Sequence, residues 1–227
     1  MQVLNLRNIK KIAAGSHHVV ALQDDGTVWA WGNNTNGQLG DDSMIHSNIP
    51  VQVQGLDNVI NITAGHYHTV ALRNDGTVWV WGYNSDGRLG DGTMENRTTP
   101  VQVRNLIDII KISSNNTHTV ALKNDGTVWT WGVNSVGQLG DGTTTNRNAP
   151  VQIYLNNVVA IDAGAFHTVA IRNDDTVWAW GKNVNGQLGN GIDSLSSGDG
   201  WGTRSITPVQ VLGTNGIGYL NLSGFYY

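Results

Sequence analysis

The run His68-Thr69-Val70-Ala71-Leu72-Arg73 is largely apolar, stops at Asn74-Asp75-Gly76, and resumes as Thr77-Val78-Trp79-Val80-Trp81-Gly82. Two short apolar runs divided by Asp-Gly predict two strands joined by a hairpin, because glycine takes the positive-φ turn position at no steric cost. Trp79 and Trp81 are two residues apart, so they share one face of their strand, and Val78 and Val80 cover the other. The tryptophan face is expected to bury most of the apolar area. Two further strands complete the unit. Strand a is expected over 60–64, closed by Gly65, and strand d over 100–103, with Pro100 first, where proline forfeits no ladder bond.

The same pattern returns along the chain. Trp29/Trp31, Trp79/Trp81, Trp129/Trp131 and Trp178/Trp180 mark four copies, each preceded by a histidine: His18, His68, His118 and His167. These histidines and tryptophan pairs are expected to form the structural core of the repeat. A second block follows every pair, as in Gly37-Gln38-Leu39-Gly40-Asp41 and Gly87-Arg88-Leu89-Gly90-Asp91, and then Pro-Val-Gln at Pro50, Pro100, Pro150 and Pro208. Repeats of this kind are supersecondary units that bury their apolar faces by stacking on one another. The fold class is therefore all-β, a β-propeller of four-stranded antiparallel blades over 8–54, 58–104, 108–154 and 158–212. Residues 1–7 read as the leftover outer strand of a preceding blade, and 213–227 as a linker and the start of a fifth repeat. Four blades form a partial propeller with two open faces. That suits a piece of a longer array, half of a ring closed by dimerisation, or a free-standing arc, and open faces invite self-association.

The block AG..HTVAL.NDGTVW.WG.N..GQLGDGT......PVQV resembles the regulator of chromosome condensation repeat, and the resemblance covers nearly the whole chain. It implies a propeller, commonly seven-bladed, and protein recognition through its loops. Guanine-nucleotide exchange on a small GTPase is the activity of the founding member. That activity depends on a wedge outside the repeat and on a full ring, and the repeats here are bare. Bacterial relatives of this type include tandem-repeat surface proteins and inhibitory proteins. In the inhibitors, aromatics near the a–b turn bind the target, and Tyr67 and Phe166 match that position.

Charge and composition narrow the function further. The net charge is −4, which supplies no basic footprint for nucleic acid. No run of about 20 apolar residues predicts a membrane span. There is no signal-peptide core in this chain, and the parent protein is expected to be bacterial and secreted or on the cell surface. The chain has no cysteine, hence no thiolate metal site. The four repeated histidines recur in identical context, which points to holding each blade together by bonding a neighbouring backbone group rather than to catalysis, where different residues take different roles. Asp91-Gly92-Thr93 and Asp141-Gly142-Thr143 read as loop caps. No catalytic residue, metal site or cofactor is expected.

Where the copies differ is where binding is expected. The pair after strand a changes in every repeat: Ser16-His17, His66-Tyr67, Asn116-Thr117 and Ala165-Phe166. So does the residue after Trp-Gly: Asn33, Tyr83, Val133 and Lys182. Antiparallel order puts the a–b and c–d turns on one face. The candidate contacts are His17, Tyr67, Thr117, Phe166, Tyr83 and Lys182, with Trp201 on a longer fourth c–d loop. The expected function is a non-catalytic protein-interaction module. The alternatives are a regulator of a small GTPase by nucleotide exchange and a structural spacer of a bacterial surface protein.

Overall fold

The computed structural model describes residues 3, 6–192, 203–213 and 218–220. Trp201 and most of the outer strand expected over 1–7 lie outside the described residues.

Sixteen strands are described, in four antiparallel sheets of four, each in sequence order. Blade 1 is β1 (Ile9–Ala14), β2 (His18–Gln23), β3 (Val28–Gly32) and β4 (Ser47–Gln52). Blade 2 is β5 (Val59–Ala64), β6 (His68–Arg73), β7 (Val78–Gly82) and β8 (Arg97–Gln102). Blade 3 is β9 (Ile109–Asn115), β10 (His118–Lys123), β11 (Val128–Gly132) and β12 (Arg147–Gln152). Blade 4 is β13 (Val158–Ala163), β14 (His167–Arg172), β15 (Val177–Lys182) and β16 (Arg204–Gln210). The blades form an open arc, with the first strand of each on the inside.

The hairpins follow the Asp-Gly rule. Leu72 pairs with Val78, and Gly76 sits at φ 77° in the loop between them. The outer strand departs from expectation. β8 begins at Arg97, not at Pro100, and proline lies inside it. The register shifts between Val80 and Gly82, so Pro100 occupies a bulge on an edge strand, where its missing N–H goes unused. Residues 218–220 are not a plain linker. Leu212 bridges Tyr219, and the Leu220 N–H bonds the Val211 carbonyl at 2.8 Å.

The core lies between blades. Val20, Leu22, Val28 and Ala30 of blade 1 pack against Ile62, Ala71 and Trp81 of blade 2. Val70, Leu72, Val78 and Val80 meet Ile112, Ala121 and Trp131 in the same way. Val120, Leu122 and Val128 meet Ile161, Ala170 and Trp180 at the third interface. The valine face of one blade thus receives the tryptophan face of the next. This corrects the expectation that the tryptophan face dominates: Val78 and Val80 are fully buried, while Trp79 is half-buried. Gly40, Gly90 and Gly140 lie flat against the next blade's indole. A Cβ on them would stand 2.7 Å from Trp81, 2.5 Å from Trp131 and 2.6 Å from Trp180.

The tryptophan pairs are not the uniform core that their repetition predicts. Trp81, Trp131 and Trp180 are fully buried, because a preceding blade covers each of them. Trp29 and Trp31 have no preceding blade among the described residues and are only partly buried, as are Trp79, Trp129 and Trp178. The indole nitrogens differ between blades as well. In Trp180 the difference is plain. Its indole Nε1 is buried with no hydrogen-bond partner among the described residues, and so is that of Trp131, whereas Trp81 Nε1 donates to the Gln38 carbonyl at 2.9 Å. Trp180 therefore holds its interface by apolar contact alone, and the polar link of Trp81 is not a property of every repeat.

Three of the four repeated histidines, His18, His68 and His118, act between blades, which corrects the own-blade reading for them. His18 Nε2 meets Thr69 Oγ1 of blade 2 at 2.9 Å, and His118 Nε2 meets Thr168 Oγ1 of blade 4 at 3.0 Å. His68 meets Ser114 Oγ of blade 3 at 2.8 Å. The strand-a glycine exists for the same ring: a Cβ on Gly65 would lie 2.1 Å from His68 Cε1. Space, not positive φ, is therefore the constraint. Asn115 replaces that glycine in blade 3 without a positive φ, because β9 runs on to pair Asn115 with His118.

Candidate protein-binding face

A constant backbone contact presents the variable residues. In each blade the N–H after Trp-Gly bonds the carbonyl of the residue before the histidine. The pairs are Asn33 to His17 (2.8 Å), Tyr83 to Tyr67 (2.9 Å), Val133 to Thr117 (3.1 Å) and Lys182 to Phe166 (2.9 Å). The glycine before each donor makes this approach feasible. Gly82 has φ 104°, and a Cβ there would lie 2.4 Å from the Tyr67 carbonyl oxygen. The a–b turn and the start of the c–d loop are thus clipped together, one couple to a blade.

The loop behind each couple is held by a buried asparagine. Asn84 is fully buried; its Oδ1 accepts from the Leu89 N–H at 2.9 Å, and its Nδ2 donates to Asp91 and to the Thr93 carbonyl. Asp91 in turn caps the Thr93 N–H at 3.0 Å and accepts from Arg97. Asn34, Asn134 and Asn183 repeat this role. The sequence pattern contained this asparagine in every copy, but only its burial shows that it anchors the loop.

On that frame, side chains of three blades converge. His66 and Tyr67 stack with ring centroids 4.0 Å apart. His17 of blade 1 lies 5.6 Å from Tyr67 and 5.8 Å from His66. Tyr83 meets Tyr67 edge-on at 6.4 Å, and the Arg88 guanidinium lies 4.6 Å from the Tyr83 ring. Arg88 is buried and ion-paired with Asp86. Asn116 of blade 3 closes the group: its Oδ1 meets His66 Nδ1 at 3.1 Å, and its carbonyl accepts from the His66 N–H at 2.9 Å.

His17, Tyr67 and Tyr83 are therefore brought together. Phe166 and Lys182 form a separate pair on blade 4, with the ammonium 5.3 Å from the ring. Thr117 joins neither group; its hydroxyl is buried without a hydrogen-bond partner among the described residues. His66, Arg88 and Asn116 were missed as contacts. Arg88 had a readable signal, since the other repeats carry Gln38, Gln138 and Gln187 at its position.

The concave inner side offers different chemistry. A cavity of about 840 Å³ is lined by residues of the inner strands, including Lys11, Asn61, Ser113 and Asp162. Lys11 donates to Asn61, and Ser113 donates to Asp162 at 2.7 Å. Among the described residues no group of three or more His, Cys, Asp or Glu converges to hold a metal ion.

Repeat, blade order and clipped loops meet in the family comparison, where the model of the RCC1-like domain matches residues 1–217. The chain belongs to the RCC1-like domain family. Its fold is similar to Prp20p from Saccharomyces cerevisiae, with a TM-score of 0.79 at 23% identity over 93% of this chain and 52% of that one. Human WBSCR16 gives 0.78 at 23% identity over 89% and 51%. A curated relative, Ras guanine nucleotide exchange factor C of Dictyostelium discoideum, is 54% identical over 35 residues, 15% of this chain and 2% of that protein. The X-linked retinitis pigmentosa GTPase regulator of Canis lupus familiaris is 40% identical over 47 residues, 21% and 5% of the two chains. This RCC1-like chain spans about half the length of the solved structures and a small fraction of the curated relatives.

Proposed function

We propose that this RCC1-like chain is a non-catalytic protein-recognition module, and that its contact surface is the cluster of His17, His66, Tyr67 and Tyr83. The convergence of these rings from two blades on a frame of invariant backbone bonds carries the reading. Interface cores are enriched in aromatics, because a rigid ring contributes large contact area at small entropic cost. Arg88 and Asp86 neutralise each other beneath the rings, so the patch meets a partner without exposing an unpaired charge.

The test is quantitative affinity capture from the source organism with the wild-type chain and with a Tyr67→Ala/Tyr83→Ala variant. Truncating a central aromatic anchor typically costs about 2 kcal/mol or more, roughly 30-fold in affinity. A protein held by the wild type and lost from the folded variant supports the reading. Equal capture by both refutes it.

A second reading has support in the names of the relatives, one an exchange factor and one a GTPase regulator. Under it the same surface contacts a small GTPase. Faster release of labelled guanine nucleotide from a Ras-type or Ran-type GTPase would select it.

A further inference from the structure

The inner strands set equivalent residues at the same height along the axis of the arc. Lys11 pairs with Leu22, Asn61 with Leu72 and Lys111 with Leu122, so the three hold one register position on three consecutive blades. All three line the inner cavity. Lys11 donates to Asn61 Oδ1 across the gap between blades 1 and 2. That oxygen is the only side-chain acceptor of the three, and every other polar atom of the set is an N–H donor. Among the described residues, no hydrogen bond or ion pair engages Lys111 Nζ or Asn61 Nδ2. The register position ends there: Ala160 occupies it in blade 4, opposite Ile171, and offers no donor.

Cations elsewhere on blades 2 and 3 are neutralised. Arg73 pairs with Asp57, Arg88 with Asp86, Arg97 with Asp91 and Lys123 with Asp108. Lys11 and Lys111 instead face each other across Asn61 with no carboxylate between them. Burial, and then the charge of Lys111, lowers the Lys11 pKa. Asp162 is the one described carboxylate that lines the cavity. It stands on blade 4, one level nearer the a–b turns, opposite Val169. Its Oδ1 is already engaged, accepting from Ser113 at 2.7 Å and from the Ala163 N–H at 3.0 Å. A concave wall carrying two like charges concentrates counter-ions, and donors alone are what an oxyanion requires. The net charge of −4 over the rest of the chain works against a long polyanion and leaves the place to a small one.

We propose that Lys11, Asn61 and Lys111 form a binding site for a phosphate group, free or carried on a small molecule, on the concave side of blades 1 to 3. Lysine serves phosphate as a point charge and does not need the planar fork of arginine. A phosphate monoester carries about −1.5 to −2 near pH 7, which matches two ammonium groups. A single carboxylate would leave one of them unneutralised. The Asn61 amide, between the two lysines in blade order, adds a directional N–H bond to a third oxygen. Phosphate in the site also removes the repulsion that Lys11 and Lys111 bear without it.

The test is calorimetric titration of the full chain at fixed ionic strength, with inorganic phosphate in one arm and glycerol phosphate in the other. Binding in either arm supports the site, and the tighter arm tells a free ion from an ester. Lys11→Gln and Lys111→Gln should each weaken binding at least about tenfold, and the double variant should abolish it. Lys123→Gln makes the same change in net charge on a hairpin away from the cavity, and should leave the affinity within about twofold. Glutamine at 11 keeps an amide to donate to Asn61, and either variant relieves the repulsion, so both should fold; melting curves without phosphate check this. The same curves give a second readout, since phosphate should raise the melting temperature of the wild type and not that of the double variant. No heat of binding in either arm up to about 10 mM overturns the proposal. So does equal weakening by Lys123→Gln, which would show attraction to overall charge, and so does a folded double variant that binds as the wild type does.

Discussion

A charge on a buried imidazole has to be desolvated, and the inter-blade histidines carry that cost. Burial, with His17 nearby as the lesser cause, pushes the His18 pKa down to about 4. Burial, and then His167, takes His118 down to about 3. Burial and then Arg88 lower His68 well below the ordinary value. In the unfolded chain each titrates near 6.5. Between the two values the unfolded state binds more protons, so unfolding gains ground as pH falls. The histidine contribution is whole above about pH 6.5 and is lost progressively from there down through about 4 to 3. The urea midpoint should accordingly fall between pH 7 and 4.5, before most carboxylates titrate. A His118→Gln variant should show a shallower fall, even if its midpoint at pH 7 is lower. A flat midpoint over that range in the wild type would contradict the assignment.

Strands and turns show what a single sequence discloses and what it withholds. β6 was legible to the residue, because an apolar run and an Asp-Gly stop define both ends. β8 was not. Its first residues, Arg97-Thr98-Thr99, have no apolar pattern; the strand starts at Arg97 because Arg97 pairs with Gly82 of β7, and it reaches Val101 across a register shift. The glycine that closes strand a was legible, but not its cause, since the contact it avoids is with a side chain three residues on. The fourth hairpin differs from the others in its turn residue. Gly26, Gly76 and Gly126 take positive φ in the first three, and Asp175 takes 62° in the fourth. A residue with a Cβ pays about 1 kcal/mol or more for that conformation. Replacing Asp175 with glycine should stabilise the protein by about 0.5–1 kcal/mol, after allowing for the greater freedom of glycine in the unfolded chain. Denaturant unfolding would show a higher midpoint with an unchanged slope. A lower midpoint would mean that the aspartate contributes a contact outweighing its strain.

Over the whole molecule, stability passes from blade to blade, since each sheet buries its faces only on its neighbours. Blades 2 and 3 are covered on both sides, and β6 and β10 are buried at all but their last residue. β1 is exposed at five of its six positions, and β14 is only partly covered. Amide exchange should therefore be slowest in β6, β7, β10 and β11, and faster in β1 and β14. Uniform protection across the four blades would show a cooperativity that neighbour contacts alone do not supply. The periodic framework made this architecture readable before any coordinates, but not the unequal burial within it, since Trp31 and Trp180 hold the same repeat position and differ only in what lies in front of them. The candidate site was readable in part: position in the repeat pointed to His17, Tyr67 and Tyr83, but their convergence with His66, Arg88 and Asn116 depends on contacts across blades, which periodicity does not encode.

The amide-to-carbonyl clip between Tyr83 and Tyr67, and its three counterparts, does not read the side chains it joins. Eight positions on one rim are therefore released from the demands of folding. Recognition can diverge there while the scaffold stays the same, and duplicating a blade adds two more letters to the message without rewriting its grammar.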